Sequence, residues 1–195
     1  MKVTSTEIPD LLIVEPKVFG DSRGFFLETY QEKKYKELGI SAKFVQDNLS
    51  FSSKGVLRGL HIQKNFPQGK LVQVIQGEVF DVAVDMRPIS PYFKKWVGVF
   101  LSDKNKKQFW IPAGFAHGFV VISDTALFSY KCTDYYYPQH EVAIKWDDPD
   151  IGITWPVTAP LVSDKDKAGV FVKDLDLKQV NKSRWGDYQS AYVGY

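Results

Sequence analysis

The sequence has little of several features that mark special classes of protein. Among 195 residues there is one cysteine, Cys132, so an internal disulfide framework and a Cys-rich zinc site are both excluded. The 25 Lys and Arg residues nearly balance the 23 Asp and Glu residues, and the net charge of +2 gives no reason to expect a nucleic acid or a membrane surface as partner. No run approaches the ~20 apolar residues of a membrane span, and the N-terminus lacks the apolar core of a signal peptide. We therefore expect a cytoplasmic protein.

Aromatic residues, by contrast, are abundant. They make up 15% of the chain, including 14 Phe and 10 Tyr, a composition that favours β-sheet and also suits stacking on flat ligands. The length predicts one domain, over residues 1–180, because a chain of this size can bury one large core. Residues 181–195 show neither a helical nor a strand period, and we expect them to form a C-terminal surface extension.

Short β-rich runs separated by turn residues dominate the pattern. We predict one helix in the body, over 31–38, with Gly39 as its stop signal. The dipeptide Gln76-Gly77 predicts a tight hairpin, because Gly accepts the positive φ of two-residue turns. Many strands without alternating long helices indicate an all-β sandwich or jelly-roll barrel with a few short peripheral helices. The predicted strands are 11–14, 24–30, 44–48, 56–63, 70–75, 78–86, 95–102, 108–111, 119–122 and 126–133.

Two of the three histidines lie in apolar stretches. Taken one at a time, His61 and His117 are each typical of a core histidine bonded to a backbone carbonyl. Together with Arg58 and Lys70 they indicate a site that handles an anionic ligand or a developing negative charge. Arg58 and His61 are three residues apart, so a regular strand would place them on opposite faces. If both line one pocket, the strand must be irregular, and Gly59 is the residue that permits a bulge.

The segment 112–117 resembles the second motif of cupins, whose jelly-roll barrels often hold a metal. The first motif of metal-binding cupins carries two histidines separated by one residue and a later glutamate, whereas the candidate here is His61-Ile62-Gln63. A site of two histidines and one carboxylate, or of three histidines, therefore lacks a ligand. We expect no metal and no cofactor, and we expect acid–base chemistry inside the barrel.

Seven motifs carry a more specific resemblance, and they follow one another at 15–26, 44–48, 56–61, 68–72, 77–85, 112–119 and 146–153. From about residue 8 to about residue 166 the chain resembles the cupin-type dTDP-4-dehydrorhamnose 3,5-epimerases of dTDP-L-rhamnose synthesis. The resemblance implies an isomerase that inverts C3 and C5 of dTDP-4-keto-6-deoxyglucose. It also implies a homodimer that exchanges N-terminal strands, so that Arg23 and Glu28 would reach the partner's site.

The resemblance assigns proton transfer to four residues. It implies that His61 is the general base and that Asp166 binds the other ring nitrogen of His61 to fix its tautomer and orientation. Tyr130 is implied as the general acid on the opposite face of the sugar ring, and Lys70 as the cation beside the C4 oxygen. These residue types suit the chemistry, because a C–H next to a ketone becomes removable once a fixed cation stabilises the enolate oxygen. Inversion then needs a second group that returns the proton from the far side.

The resemblance also implies which residues bind the substrate. Arg23 and Arg58 would bind the diphosphate, for which the planar guanidinium is suited. Tyr136 would stack on thymine, with its neighbours Tyr135 and Tyr137 as alternatives for that place. Further contacts to the substrate are implied for Glu28, Gln46, Asn48, His117, Glu141 and Lys165.

Three other functions stay open at this point. A relative that inverts C3 only keeps nearly the same site, so the sequence does not separate it from a 3,5-epimerase. A metal-dependent cupin oxygenase would need a third metal ligand. A non-catalytic nucleotide-sugar binding module would bind the nucleotide without exchanging protons, and the presence of acid, base and oxyanion-stabilising residue types argues against it.

Overall fold

Two β-sheets packed face to face form the body of the computed structural model, which describes residues 1–175. The predicted C-terminal extension, 181–195, lies outside the described residues. The strands are Lys2–Ser5 (β1), Leu12–Glu15 (β2), Val18–Asp21 (β3), Gly24–Leu27 (β4), Gln46–Ser53 (β5), Val56–Gln63 (β6), Lys70–Gln76 (β7), Glu78–Asp85 (β8), Trp96–Ser102 (β9), Gln108–Ile111 (β10), Phe115–Val121 (β11), Thr125–Cys132 (β12), Glu141–Ala143 (β13) and Leu161–Val162 (β14). The helices are Glu32–Glu37 (α1) and Asp164–Lys167 (α2), with 3₁₀ turns at Pro138–His140 and Val172–Asp174.

The strands divide between two large sheets and one small ribbon. Sheet I has the order β1-β2-β10-β7-β12-β5, and sheet II has the order β13-β6-β11-β8-β9 with β14 joined to β6. The β14–β6 pair is parallel, whereas the pairs along both orders are antiparallel. The predicted all-β sandwich with short peripheral helices is confirmed. In residues 1–175 no helix has the length and apolar character needed to cross a membrane.

Apolar side chains form three clusters, because successive side chains of a strand point to opposite faces of its sheet. The central cluster lies between the sheets and includes Val72, Phe119 and Phe128. The outer face of sheet I is covered by α1, whose Tyr35 is buried there. The outer face of sheet II is covered by the segment after β13, which contributes Ile151. The space between the sheets is therefore where inward polar side chains are shielded from water.

The prediction of a hairpin at Gln76-Gly77 is wrong. Gly77 has a positive φ of 85°, as a tight turn requires. However, β7 lies in sheet I and β8 lies in sheet II, so the turn carries the chain from one sheet to the other. The local sequence specifies the turn, whereas the sheet that each strand joins depends on partners far along the chain.

Several strands differ from the sequence prediction, either in extent, as β5 and β11 do, or in existence, as β1, β3, β13 and β14 do. β11 begins at Phe115 rather than at residue 119, and Gly118 lies inside it. A Cβ on Gly118 would lie 2.7 Å from the carbonyl oxygen of Arg58, so this glycine serves a close approach of two strands and not a turn. β1 and β3 were not predicted, because both are largely exposed and lack an apolar alternation.

β6 contains the irregularity that the spacing of Arg58 and His61 predicts. The two residues between them lie opposite a single residue of β11, Gly118, because the register shifts there. One of the two is Gly59, with a φ of 116°. Leu60 packs into the cluster outside sheet II. Arg58 and His61 consequently both lie on the inner side of the sheet, and the predicted bulge is confirmed.

β3 and β4 pair with each other and form a ribbon apart from both large sheets. The ribbon carries the exposed aromatic side chains Phe19, Phe25 and Phe26. On the edge strand β5, Leu49 and Phe51 are also exposed. Exposed apolar side chains grouped in this way are typical of an interaction surface.

Candidate active site

His61 and Asp166 form a close pair at the inner side of β6. The Nε2 atom of His61 lies 2.6 Å from Oδ1 of Asp166. Ser163 caps the start of α2 by accepting a hydrogen bond from the backbone N–H of Asp166, which fixes the position of the carboxylate. The side chain of Asp166 is 4% exposed and that of His61 is 26% exposed. The pair therefore has a shielded carboxylate and an imidazole that solvent or a ligand can reach.

The surroundings of Asp166 favour its ionised form. The second carboxylate oxygen accepts a hydrogen bond of 3.3 Å from the backbone N–H of Gly59. Burial acts to raise the pKa of Asp166, but the hydrogen bond and charge of His61 and the bond from Gly59 hold this pKa below its usual value. An ionised carboxylate at this distance keeps the ring proton of His61 on Nε2, so Nδ1 is left as the basic nitrogen.

His117 and Asp81 form a second pair beside the first. His117 is the register partner of His61 on β11. Its Nε2 lies 2.9 and 3.1 Å from the two carboxylate oxygens of Asp81 on β8. Both residues are buried, with Asp81 fully so. Burial raises the pKa of Asp81 and lowers the pKa of His117, and the attraction between the two opposes each shift.

Sheet I supplies a phenol and an ammonium group from the opposite side. Tyr130 on β12 packs against the central cluster and so faces sheet II. The Nζ atom of Lys70, the first residue of β7, lies 6.0 Å from the centroid of the Tyr130 ring. Burial raises the pKa of Tyr130 to about 12, so its hydroxyl keeps its proton at neutral pH. Burial lowers the pKa of Lys70, and the charges of neighbouring groups, Glu141 and Asp81 among them, oppose this shift.

A pocket lies between the sheets beside these groups. Its lining includes His61, Lys70, Phe115 and Glu141. The imidazole comes from sheet II, while Lys70 and the adjacent Tyr130 come from sheet I. His61 and Lys70 therefore line the pocket, and the Tyr130 phenol lies next to Lys70 on the sheet opposite His61. An acid and a base on opposite sheets suit the inversion of a carbon centre.

Glu141, Lys165 and Tyr136 meet at the edge of this pocket. The Lys165 ammonium and the Tyr136 hydroxyl both donate to Oε2 of Glu141, the latter at 3.0 Å. Oε1 of Glu141 lies 3.8 Å from Nδ1 of His61. Burial acts to raise the pKa of Glu141, but the bonds from Lys165 and Tyr136 and the charges of Lys165 and His61 hold it below its usual value.

The three consecutive tyrosines have different environments. The Tyr137 ring packs on Phe66 at 4.7 Å between centroids, so it is engaged inside the protein. Tyr136 is 45% exposed, and its hydroxyl is held to the pocket edge by Glu141. Tyr135 is 55% exposed, and its ring has no hydrogen bond to the pocket residues in the described part of the chain. Tyr136 is the tyrosine best placed to contact a ligand.

An inward row of polar side chains on β5 runs toward the same space. Nε2 of Gln46 donates to Oδ1 of Asn48 at 3.0 Å, and Nδ2 of Asn48 donates to the Cys132 sulfur at 3.5 Å. Further along the row, Ser52 accepts a 3.0 Å hydrogen bond from Nε of Arg58. Gln46, Asn48 and Arg58 therefore join the predicted cluster on the inner side of the sandwich.

Two of the predicted substrate contacts lie outside the cluster within one chain. Arg23 is in the turn of the β3–β4 ribbon, where its exposed guanidinium lies 2.6 Å from the carboxylate of Asp21. Glu28 follows the ribbon and accepts a 2.7 Å hydrogen bond from Lys34. The ribbon joins neither large sheet, so both side chains lie where a second molecule could meet them.

The described residues offer no ligand set for a metal. Over 1–175, no three His, Cys, Asp or Glu side chains are grouped so as to hold an ion. The Nε2 atoms of His61 and His117 each face a carboxylate instead. A cupin oxygenase would need a third ligand that this part of the chain does not bring to the pocket.

Comparison with known proteins places the chain among sugar-nucleotide epimerases. Residues 5–174 match the family model of dTDP-4-dehydrorhamnose 3,5-epimerase. The chain belongs to this family. The dTDP-4-dehydrorhamnose 3,5-epimerase of Shigella flexneri is 58% identical over 178 residues, which cover 90% of this chain and 98% of the relative.

Solved structures of the epimerase family share the fold. RmlC from Legionella pneumophila Philadelphia 1, in complex with dTDP-4-keto-L-rhamnose, is 55% identical with a TM-score of 0.90, over 92% of this chain and 96% of that one. ChmJ, a 3'-monoepimerase from Streptomyces bikiniensis in complex with dTDP-quinovose, is 28% identical with a TM-score of 0.87, over 96% and 97%. The family and fold that the sequence resemblance implies are confirmed.

Two further residues of the site, Gln63 at the pocket and Asp81 bonded to His117, are not among the residues predicted from the sequence. Asp81 alternates with Val79 and Ala83 on the apolar inner face of β8, and a charged residue in such a row is a signal that could have been read. Gln63 is 5% exposed, and its side chain bonds to two loops. The sequence around Gln63 gives no comparable signal, because an uncharged amide side chain at the end of a strand is common.

Proposed function

We propose that this protein epimerises C3 and C5 of dTDP-4-keto-6-deoxyglucose, without a cofactor, in the synthesis of dTDP-L-rhamnose. Family membership gives the reaction class. The observation that carries the proposal is that His61, bonded to Asp166, lies on sheet II opposite Tyr130 and Lys70 on sheet I. A base and an acid on opposite walls can remove a proton from one face of a sugar ring and return one to the other.

The proposed step begins at a carbon beside the C4 ketone. Nδ1 of His61 takes the proton, and the electron pair of the broken C–H bond forms a C–C double bond while the carbonyl electrons move to the C4 oxygen. The Lys70 ammonium stabilises the resulting enolate. Tyr130 gives its phenolic proton to the opposite face of the same carbon, which restores the ketone and inverts the centre. The phenolate regains a proton, and imidazolium releases one, through solvent.

The same groups serve both centres, because C3 and C5 flank the ketone. The pKa of Tyr130, raised to about 12, suits a group that holds its proton until an enolate is present. His117 lies opposite His61 on the neighbouring strand and bonds to the buried Asp81, and the charges of both His117 and Asp81 interact with that of Lys70. We assign His117 to the sugar and diphosphate end of the pocket.

The nucleotide is bound by the polar rim. In this proposal Arg58 binds the diphosphate and the exposed face of Tyr136 stacks on thymine. Asn48 and Gln46 point inward beside Tyr130. The side chains proposed to complete the substrate contacts are Arg23, Glu28, Gln46, Asn48, His117, Glu141 and Lys165.

We propose a cytoplasmic homodimer in which the β3–β4 ribbon of each chain reaches the pocket of its partner. The exposed aromatics of the ribbon support this, because pairing would bury them and would bring Arg23 and Glu28 to a second pocket. Replacing Phe25 and Phe26 by Ser should yield monomers with weakened dTDP binding in sedimentation and calorimetry. Ile89→Ser removes another exposed apolar side chain and serves as the matched control. A fully active monomeric wild-type protein would refute the dimer.

The experiment that tests the reaction is incubation with the 4-keto sugar nucleotide in deuterated water, followed by NMR. We expect deuterium at both C3 and C5 with inversion of both. The likeness to ChmJ makes a C3-only epimerase the second candidate, and it predicts inversion at C3 alone. Tight binding without exchange would indicate a binding module instead.

A further inference from the structure

Side-chain amides hold the loop that carries Tyr136. We define the tyrosine loop as residues 134–137. Nε2 of Gln68 donates to the backbone carbonyl of Asp134 at 2.8 Å, and the backbone N–H of Tyr136 donates to Oε1 of Gln46 at 2.9 Å. The side-chain amide of Gln63 makes two hydrogen bonds to the tyrosine loop and one to the loop that contains Phe66. The position of the loop is thus set by groups on distant strands as well as by its own sequence.

Both polar atoms of the Gln63 carboxamide form hydrogen bonds to backbone groups of two loops. Its Nε2 donates to the carbonyl oxygens of Phe66 at 2.6 Å and of Tyr135 at 3.2 Å. Its Oε1 accepts from the backbone N–H of Tyr137 at 2.7 Å. The residue is 5% exposed, so water cannot readily replace these bonds. The ring of Tyr137 then packs on Phe66, which joins the two loops a second time.

Gln63 also lies on the same strand as the proposed base, His61. It lies two residues after His61 on β6, so both side chains are on the inner side of the strand. One short piece of strand therefore carries the group that meets the sugar and the group that holds the loop of Tyr136. The spacing between His61 and the loop of Tyr136 is therefore set through this piece.

We propose that Gln63 is a positioning residue that sets the tyrosine loop for the nucleobase and so determines affinity for the thymidine diphosphate part of the substrate. The proposal rests on the function proposed above, and it adds a residue that contacts backbone and not the reacting atoms. Loss of Gln63 should free the loop and weaken nucleotide binding, while leaving His61, Tyr130 and Lys70 in place.

Two variants and one matched control test this. Gln63→Met keeps the length of the side chain and removes all three bonds, and Gln63→Glu keeps the acceptor for the Tyr137 N–H. Asn105 makes equivalent carboxamide bonds to backbone groups of Phe100, Ser102 and Lys107, in the turn between β9 and β10, so Asn105→Asp is the control. Calorimetry with dTDP, steady-state kinetics and amide hydrogen exchange are measured for each.

We expect Gln63→Met to raise the Kd for dTDP and the KM about tenfold or more, and Gln63→Glu to raise them less. The kcat at saturating substrate should stay within roughly threefold of wild type, because the reacting groups are untouched. Amide exchange over 134–137 should accelerate in both variants and not in Asn105→Asp. Unchanged dTDP affinity, or a lost kcat with intact affinity, would overturn the role of Gln63. A wild-type protein that neither binds dTDP nor exchanges C3 and C5 protons would overturn the proposed function itself.

Discussion

Two histidines lie side by side on neighbouring strands, each paired with an aspartate, yet the surroundings of the two pairs differ. His61 and Asp166 meet at 2.6 Å, and the imidazole opens to the pocket. His117 and Asp81 meet at 2.9 Å inside the sandwich, where both are buried. The pKa of Asp166 is held down by its hydrogen bonds, whereas burial raises the pKa of Asp81. The two pairs contain the same residue types, but the degree of burial and the number of hydrogen-bond donors around each carboxylate suit them to different roles.

The difference between the two pairs indicates which environment suits a catalytic proton acceptor. A base must exchange its proton with solvent after every turnover, so it needs an open imidazole with a carboxylate that stays ionised. Asp166 lies on α2, far along the chain from β6, and accepts a hydrogen bond from the backbone N–H of Gly59. Asp81 belongs to the inner face of β8 and acts on Lys70 and His117 through the low dielectric of the core. Five experiments would break or sharpen this contrast.

The largest effect is expected when the open pair loses its base. His61→Asn should reduce epimerisation about 10⁴-fold and abolish deuterium entry at both C3 and C5, because no enolate forms. The parallel change His117→Asn should cost roughly tenfold to a hundredfold and leave measurable exchange, since it removes hydrogen bonds and not the base. Binding of dTDP serves as the folding control for His61→Asn. Equal losses in the two variants would erase the distinction between the pairs.

Removing the acid should separate proton loss from proton return. Tyr130→Phe keeps the ring packing and deletes the hydroxyl, so His61 can still form the enolate. We expect solvent deuterium to enter while inversion slows about 10² to 10³-fold, most clearly at C5. NMR of the sugar in deuterated water reports both. Inversion of both centres at the wild-type rate would assign the acid to another group.

The buried pair can be tested through Lys70. The charge of Asp81 raises the pKa of Lys70 against the desolvation that lowers it. Asp81→Asn removes this negative charge, so Lys70 should lose its proton at lower pH. The alkaline limb of the pH–rate profile should move to lower pH, with little change on the acid limb. Asp85→Asn, in another buried aspartate held by Arg87, is the control for a general loss of stability. An unmoved alkaline limb would remove Asp81 from the mechanism.

The open pair should also leave a signature in stability. Because the folded-state pKa of Asp166 lies below its ordinary value of 3.8, its contribution to stability is present above that value and is lost as pH falls through the folded pKa. The difference in unfolding free energy between wild type and Asp166→Asn should be constant near neutral pH and shrink in the acid range below about 4. Chemical denaturation across this range measures it. A difference that grows on acidification would contradict the lowered pKa.

The smallest expected effect is none at all. Exhaustive chelation should leave the rate of epimerisation unchanged, because the Nε2 atoms of His61 and His117 already face carboxylates and the proposed base needs its other nitrogen free. Turnover lost with EDTA and restored by one divalent ion would reverse this expectation.

Much of this architecture follows from local sequence, and the wrong predictions have two causes: exposed strands such as β1 and β3 lack an apolar alternation, and the choice of sheet depends on distant residues. Most of the buried strands, the helix α1 and the bulge at Gly59 could be predicted, because alternation, capping and glycine act over a few residues. The hairpin prediction at Gln76-Gly77 failed because the choice of sheet is made by distant strands. The pairing of His61 with Asp166 came from resemblance to a family and not from spacing, since the two are 105 positions apart.

The back-to-back contact of Gly59 and Gly118 restricts how the pocket can be redesigned. A Cβ on Gly59 would lie 2.6 Å from the Cα of Gly118, and a Cβ on Gly118 would lie 2.7 Å from the Arg58 carbonyl oxygen. A larger residue at one position cannot be offset by a smaller one at the other, because neither has a side chain to give up. In a library that varies the pocket for new sugar nucleotides, these two codons should be held constant, and the diversity should go to positions around them.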